Sequence, residues 1–200
     1  RDIPSDDADG RRLNAAYAAA VAHLQLGRVR CVGETLVEVL SPDLERDGWE
    51  TERTILMFVT DDVPFLVDSV RMVLDRYELG IHLLIHPMIS VRRNDRHELV
   101  DVDEPDGRVE AWTLIELDRC PSGAREQLEA DVRTAIDDVQ SVVRDFAPMQ
   151  KRLLDVAGDD ALMRWLADTN FVFLGSAIYE RTPDGLRLDP TSLLGQYRSR

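Results

Sequence analysis

The sequence predicts an α+β protein built on an antiparallel sheet with two helices on one face. Three observations carry this. Between residues 53 and 146 the apolar pattern runs strand, helix, strand, strand, helix, which is the split β-α-β order of the ferredoxin-like plan. The strands recur with period two and the helices with steps of three and four. The composition is that of a soluble globular chain, 44% hydrophobic and 31% charged over 200 residues, long enough to bury about 70% of its unfolded surface.

Residues 1–10 are polar and acidic and are expected to fray. Over 11–27, Leu13, Tyr17, Val21 and Leu24 mark an amphipathic helix that Gly27 stops. Residues 34–41 are rich in β-branched and apolar types, end at Pro42 and read as a strand. Asp47-Gly48 signals a turn, and 53–60 is a continuous apolar run, as in a central strand covered on both sides. Asp62 reads as an N-cap with Pro64 in the first turn of a helix over 63–79. Leu66, Val70, Val73, Leu74 and Tyr77 form its inner face, and Gly80 its left-handed cap.

Residues 81–93 read as one strand, with an edge or a bulge at Pro87, because proline lacks the N–H a ladder needs. A polar connection leads to a strand over 109–118. Pro121 and Ser122 then open a long helix whose stripe is Leu128, Val132, Ile136, Val139, Val142 and Phe146, with Pro148 ending or kinking it. Two short helices split at Gly158, a strand over 171–179 and a return strand after the Pro183-Asp184-Gly185 turn complete the chain. Strand 34–41, joined to 53–60 by a short loop, is placed antiparallel beside it. The expected organisation is an amino-terminal helix (1–30), the sheet-and-helix domain (31–147), a helical connector (148–169) and the start of a second module (170–200).

Charge excludes some partners. With 24 basic against 38 acidic residues the net charge is −14, which repels nucleic-acid phosphate and anionic membrane surfaces. No apolar run reaches the roughly 20 residues of a membrane span. Cys31 and Cys120 are too few for a disulfide scaffold, so two reduced thiols in a cytoplasmic protein are expected. The chain opens on Arg1 and is expected to be a piece of a longer polypeptide.

Several strings together carry a resemblance: Asp61-Asp62-Val63-Pro64-Phe65-Leu66-Val67-Asp68-Ser69-Val70, Ile81-His82-Leu83-Leu84-Ile85-His86-Pro87, Arg92-Arg93, Glu110-Ala111-Trp112 and Glu116-Leu117-Asp118-Arg119. Trp165-Leu166-Ala167-Asp168 and Asn170-Phe171-Val172-Phe173-Leu174-Gly175 continue it. In this order they resemble the amino-terminal region of the large bacterial NAD-dependent glutamate dehydrogenases. The resemblance implies an ACT-like domain followed by the start of a PAS-like module. It also implies a regulatory or oligomerising role within a homo-oligomer responsive to a free amino acid, with the NAD-dependent catalytic domain elsewhere in the parent chain and no cofactor in this region. It places Asp62-Val63-Pro64-Phe65-Leu66 where an ACT domain carries Asp-x-Pro-Gly-Leu, a loop that contacts an amino-acid effector. Asp61, Asp62, Val63, Pro64, Phe65 and His82 are therefore the effector-binding candidates. Phe65 stands where the motif has glycine, and its bulk favours a fixed packing role, so a purely structural assembly domain is the rival reading.

The residues themselves carry little catalytic signal. No two glycines stand two apart, so no G-x-G-x-x-G fingerprint or P-loop is present, and Lys151 is the only lysine. No catalytic or metal-binding residue is assigned. His82 and His86, four apart on a strand, lie about 13 Å from one another, too far to share a metal. They either line a cleft or sit partly exposed on a sheet edge. Asp61 and Asp62 either capture a ligand's ammonium group or cap the following helix.

Overall fold

The computed structural model describes residues 10–199; the acidic stretch 1–9 and the Leu13 side chain lie outside the described residues. The chain divides into two compact units. The first runs to Asp62 and resumes over Leu66–Ile136; the second holds Val63–Phe65 and everything from Asp137 onward.

The first unit contains α1 (Gly10–Leu26), β1 (Leu36–Leu40), α2 (Leu44–Asp47), β2 (Thr54–Asp61), α3 (Leu66–Arg76), β3 (Ile81–Ile85), β4 (Met88–Arg93), β5 (Leu99–Val102), β6 (Arg108–Leu117) and the start of α4 (Arg125–Ala157). Its sheet has the order β1-β2-β6-β4-β5, with β3 also paired to β6, and every pairing is antiparallel. The strand over 36–40 does pair with β2, Val37 opposite Phe58 and Val39 opposite Leu56. The expected single strand over 81–93 is two strands laid end to end along β6, broken at His86-Pro87. The break is satisfied by Pro87, whose carbonyl accepts from Trp112 N–H at 3.0 Å. The polar connection after it contains the extra strand β5, Leu99-Val100-Asp101-Val102, which is mostly exposed and too short to show a hydrophobic alternation.

β2 is buried on both faces, as its continuous apolar run predicts. One face carries Leu56 and Phe58 with Ile115 and Thr113, all at 0% exposure. Helices α3 and α4 close it with the buried stripes Leu66, Val70, Val73, Leu74 and Leu128, Val132, Ile136. Tyr77, just past α3, donates its hydroxyl to Asp131 of α4 at 3.0 Å.

The opposite face carries Ile55, Met57, Trp112 and Leu114, and here α1 docks. The expected two-layer arrangement is therefore three-layered over β2 and β6. The face of α1 that turns inward also differs from the expected one. Ala19, Ala22, His23 and Leu26 pack on the sheet, while Tyr17 is 74% and Leu24 50% exposed. Small residues let the helix axis approach closely, and the Trp112 ring fills the gap, tilted against His23 at 5.3 Å.

Two helix ends depart from the sequence pattern. α3 starts at Leu66, four residues after Asp62, so Asp62 is not its N-cap. At its other end Glu78, not Gly80, takes the left-handed conformation (φ 54°), and Leu79 N–H returns to Leu74 C=O at 3.2 Å.

In the second unit α4 runs on through Pro148 to Ala157. α5 (Ala161–Trp165) follows, capped by Asp160, whose carboxylate accepts from Leu162 and Met163 N–H. The strand read at 171–179 begins later: β7 (Gly175–Thr182) and β8 (Gly185–Gly195) form a hairpin across the expected turn. Buried Asp145 of α4 accepts from Gly195 N–H at 2.8 Å and pairs with Arg198. Arg152 donates to Ser176 and to the Ser192 carbonyl. Among the described residues, no helix is long and apolar enough to cross a membrane.

Candidate functional site

The register of β2 on β6 sets Asp61 directly opposite Glu110. Two carboxylates in that position repel. The chain resolves this with Arg30, which the connector between α1 and β1 delivers between them. Arg30 is 1% exposed; its Nη2 lies 2.7 Å from Asp61 Oδ1 and its Nη1 2.8 Å from Glu110 Oε1. Its Nε donates to the Glu34 carbonyl at 2.8 Å.

Arg93 of β4 grips Glu110 from the other side, Nε to Oε1 at 2.8 Å and Nη2 to Oε2 at 2.9 Å. It also donates to the carbonyls of Gly27 and His97. Trp112 Nε1 donates to Glu110 Oε2 at 3.2 Å, and Arg108 holds Asp61 Oδ2 at 2.8 Å. Every carboxylate oxygen of Asp61 and Glu110 thus faces a donor. Glu110 is 1% exposed, and a buried charge without such partners costs several kcal/mol.

The arrangement is a clamp. It ties the connector to β2, β4 and β6, and the connector in turn pairs with the start of β5, with Arg30 N–H on His97 C=O and Leu99 N–H on Arg28 C=O. Gly27 opens the connector where the Trp112 ring lies against the backbone; a Cβ there would stand 2.1 Å from the ring. Of these residues, Arg30, Arg93 and Arg108 carried no site assignment from sequence. The available signal was Glu110, an acid at period two with inward-facing Trp112 and Leu114.

Burial alone would push the Glu110 carboxyl up; the Arg93 hydrogen bonds and the Arg30 and Arg93 charges outweigh it and hold it below the ordinary carboxylate range. Burial lowers His23 from the usual imidazole value, against a smaller raising effect of its hydrogen bond to Phe58 C=O. Both folded-state values are depressed, so both groups contribute stability above their unfolded values and lose it as pH falls. Acid unfolding curves are expected to show stability declining first below about 6.5 through His23 and again below about 4.3 through Glu110. His23→Gln removes the first decline only.

The candidates named from sequence are spread out. Asp61 is held by two arginines, and Asp62 is exposed. Val63 is half-buried and Pro64 exposed. Phe65 is 60% exposed and adopts φ 69°, the left-handed region. A glycine accepts that conformation freely, whereas a side chain pays about 1 kcal/mol. Phe65→Gly is accordingly expected to raise stability by roughly 0.5–1 kcal/mol, readable as a higher urea midpoint.

His82 is not brought to Asp61. It sits at the β3 irregularity beside Leu117, seven residues along β6 from Glu110, or roughly 23 Å at the usual strand rise. There its Nε2 stands 2.7 Å from Asp118 Oδ1 and 2.6 Å from Arg53 Nη1. A single ring nitrogen either donates to the carboxylate or accepts from the guanidinium. The His82 contact, Gly80 N–H and Arg53 together hold the Asp118 carboxyl low. His86 Nδ1 meets Thr113 Oγ1 at 2.6 Å. Cys31 is exposed and Cys120 buried, both unpaired. Among the described residues, no group of three or more His, Cys, Asp or Glu stands ready to hold a metal ion.

Comparison with known proteins adds the following. Residues 1–132 match the family described as glutamate dehydrogenase, ACT1 domain. The NAD-specific glutamate dehydrogenase of Halomonas elongata is 32% identical over 98% of this chain, and that of Pseudomonas aeruginosa 33% identical over 98%. The corresponding Mycobacterium tuberculosis protein is 27% identical over 77%. The chain spans 14% of the length of the first two relatives and 11% of the third.

Proposed function

The chain belongs to the glutamate dehydrogenase ACT1-domain family, and from that premise we propose that it is a non-catalytic regulatory and assembly module of a much longer NAD-dependent glutamate dehydrogenase. The parent reaction converts L-glutamate, NAD and water to 2-oxoglutarate, ammonium, NADH and a proton. In this reading the dinucleotide and the substrate bind polypeptide beyond this region, and the module works in the cytoplasm within a homo-oligomer. The 14% share of relatives named for that activity supports the division of labour. So does the sequence, which offers no glycine fingerprint for a dinucleotide and a single lysine.

Amino-acid sensing is the finer form of this reading, and one observation favours the structural alternative. Each oxygen of Asp61 already accepts from an arginine, Oδ1 from Arg30 and Oδ2 from Arg108, so its charge is matched within the chain and not held unpaired for a ligand's ammonium group. We therefore place the weight on assembly: the ion-paired clamp at the Asp61 end holds the module in one shape.

The test uses a full-length relative, the Pseudomonas aeruginosa enzyme, with the matching region deleted. The expected result is glutamate oxidation per active site within a few-fold of the parent, with a changed oligomeric state. NADH formation from glutamate by the 200-residue chain alone overturns the proposal.

A further inference from the structure

β1 is the outermost strand of its sheet. An outer strand presents unpaired N–H and C=O groups, a template on which another strand can add. Here the backbone groups of Val37 and Val39 point away from β2, and one group of each is engaged. Glu129 Oε2 of α4 accepts from Val39 N–H at 3.4 Å, and Arg133 Nη2 donates to Val37 C=O at 3.2 Å. Glu129 and Arg133 stand one helical turn apart and pair with each other at 3.0 Å. Beside this edge lies an open cleft of about 930 Å³, bordered by Val37–Leu40, Leu26 and Trp49. The edge thus has room next to it and is covered there by these two side chains.

We propose that Glu129 and Arg133 form an edge guard, a pair from α4 that occupies one N–H and one C=O on the outer side of β1 and keeps the strand from pairing with β1 of a second copy of this chain. The second copy is the natural occupant because Leu36-Val37-Glu38-Val39-Leu40 is self-complementary when antiparallel. Val37 then faces Val39 of the other copy, and the β-branched residues meet across the junction. The same register sets Glu38 against its own counterpart, a like-charge pair that opposes the contact. Glu38 is already crowded: burial first, then Glu129 and Asp47, push its carboxyl upward. The guard and the central carboxylate act in the same direction. They leave β1 closed to strand addition, so the assembly contacts proposed above use other surfaces; if that reading fails, the guard is unaffected, since its test asks only about β1.

The test is the double variant E129A/R133A, with R133A as a milder change and E38Q added as a third substitution. Hydrogen exchange in dilute solution is expected to quicken roughly tenfold at Val39 N–H, the scale of one lost hydrogen bond. Light scattering on a concentration series is expected to show the double variant associating beyond the parent's state, the triple variant at about tenfold lower concentration still, with the Val39 amide regaining protection and the Val37 amide gaining it as association proceeds. A double variant that keeps the parent's size throughout the series overturns the proposal. So does association in which the β1 amides stay fast-exchanging, which locates the new contact elsewhere. Circular dichroism matching the parent establishes that the variants are folded.

Discussion

Replacing Glu110 by alanine is expected to be the most damaging single change in the first unit, costing about 3–5 kcal/mol. The reason is what remains behind. Arg30, only 1% exposed, would keep one carboxylate partner, and Arg93, at 11% exposure, would lose the carboxylate it grips. Trp112 Nε1 would lose its acceptor as well. A loss of that size lowers the melting temperature on the order of 10 °C in a chain of this length. In urea the midpoint should fall with the slope unchanged, because the surface exposed on unfolding is nearly the same. Arg30→Ala in the Glu110→Ala background should cost far less than Arg30→Ala alone, because a partner already missing cannot be lost twice. A Glu110→Ala variant as stable as the parent would mean that the ion cluster is not holding the connector.

Gly27→Ala is the second large effect, about 1–3 kcal/mol, the range for overpacking a filled site. The added methyl carbon would stand 2.1 Å from one Trp112 ring carbon and under 3 Å from two more. The ring has little room to yield, since Trp112 is 3% exposed and His23 leans against it. The diagnostic is a double-mutant cycle. Trp112→Leu is destabilising on its own, through lost burial. In that background Gly27→Ala should become nearly neutral, because the clashing ring is gone. If Gly27→Ala costs the same in both backgrounds, the effect is backbone conformation and not contact with the tryptophan.

Much of the fold was legible because local patterns agreed with the final packing. The apolar run over 53–60 announced a strand covered on both faces, and β2 is one. The stripe Leu66, Val70, Val73, Leu74 became the buried face of α3. What misled was residue size and sequence distance. In α1 the larger apolar residues Tyr17 and Leu24 outweighed alanines in the reading, yet a helix pressed onto a tryptophan needs the small face inward. β5 is four residues long, with exposed Val100 and Val102 on either side of Asp101, and leaves no periodic trace. The candidate site was legible only in part. Asp61 was singled out, but its partners Arg30 and Arg108 lie 31 and 47 positions away, and Glu110 lies 80 from Arg30. Pairs that distant come together only through strand register, which local spacing cannot show. Phe65 was recognised as standing in for a glycine, and the structure adds that it bears the conformation a glycine would take.

The central claim is that Asp61 is a structural ion-pair residue and not an amino-acid receptor. Calorimetric titration of the chain and of Asp61→Asn with free amino acids, with urea unfolding of both, tests it most directly. The account predicts no saturable heat with either chain at millimolar amino acid, and a loss of about 1–3 kcal/mol of stability in Asp61→Asn. Saturable binding to the parent that Asp61→Asn abolishes, with unfolding unchanged, would contradict it.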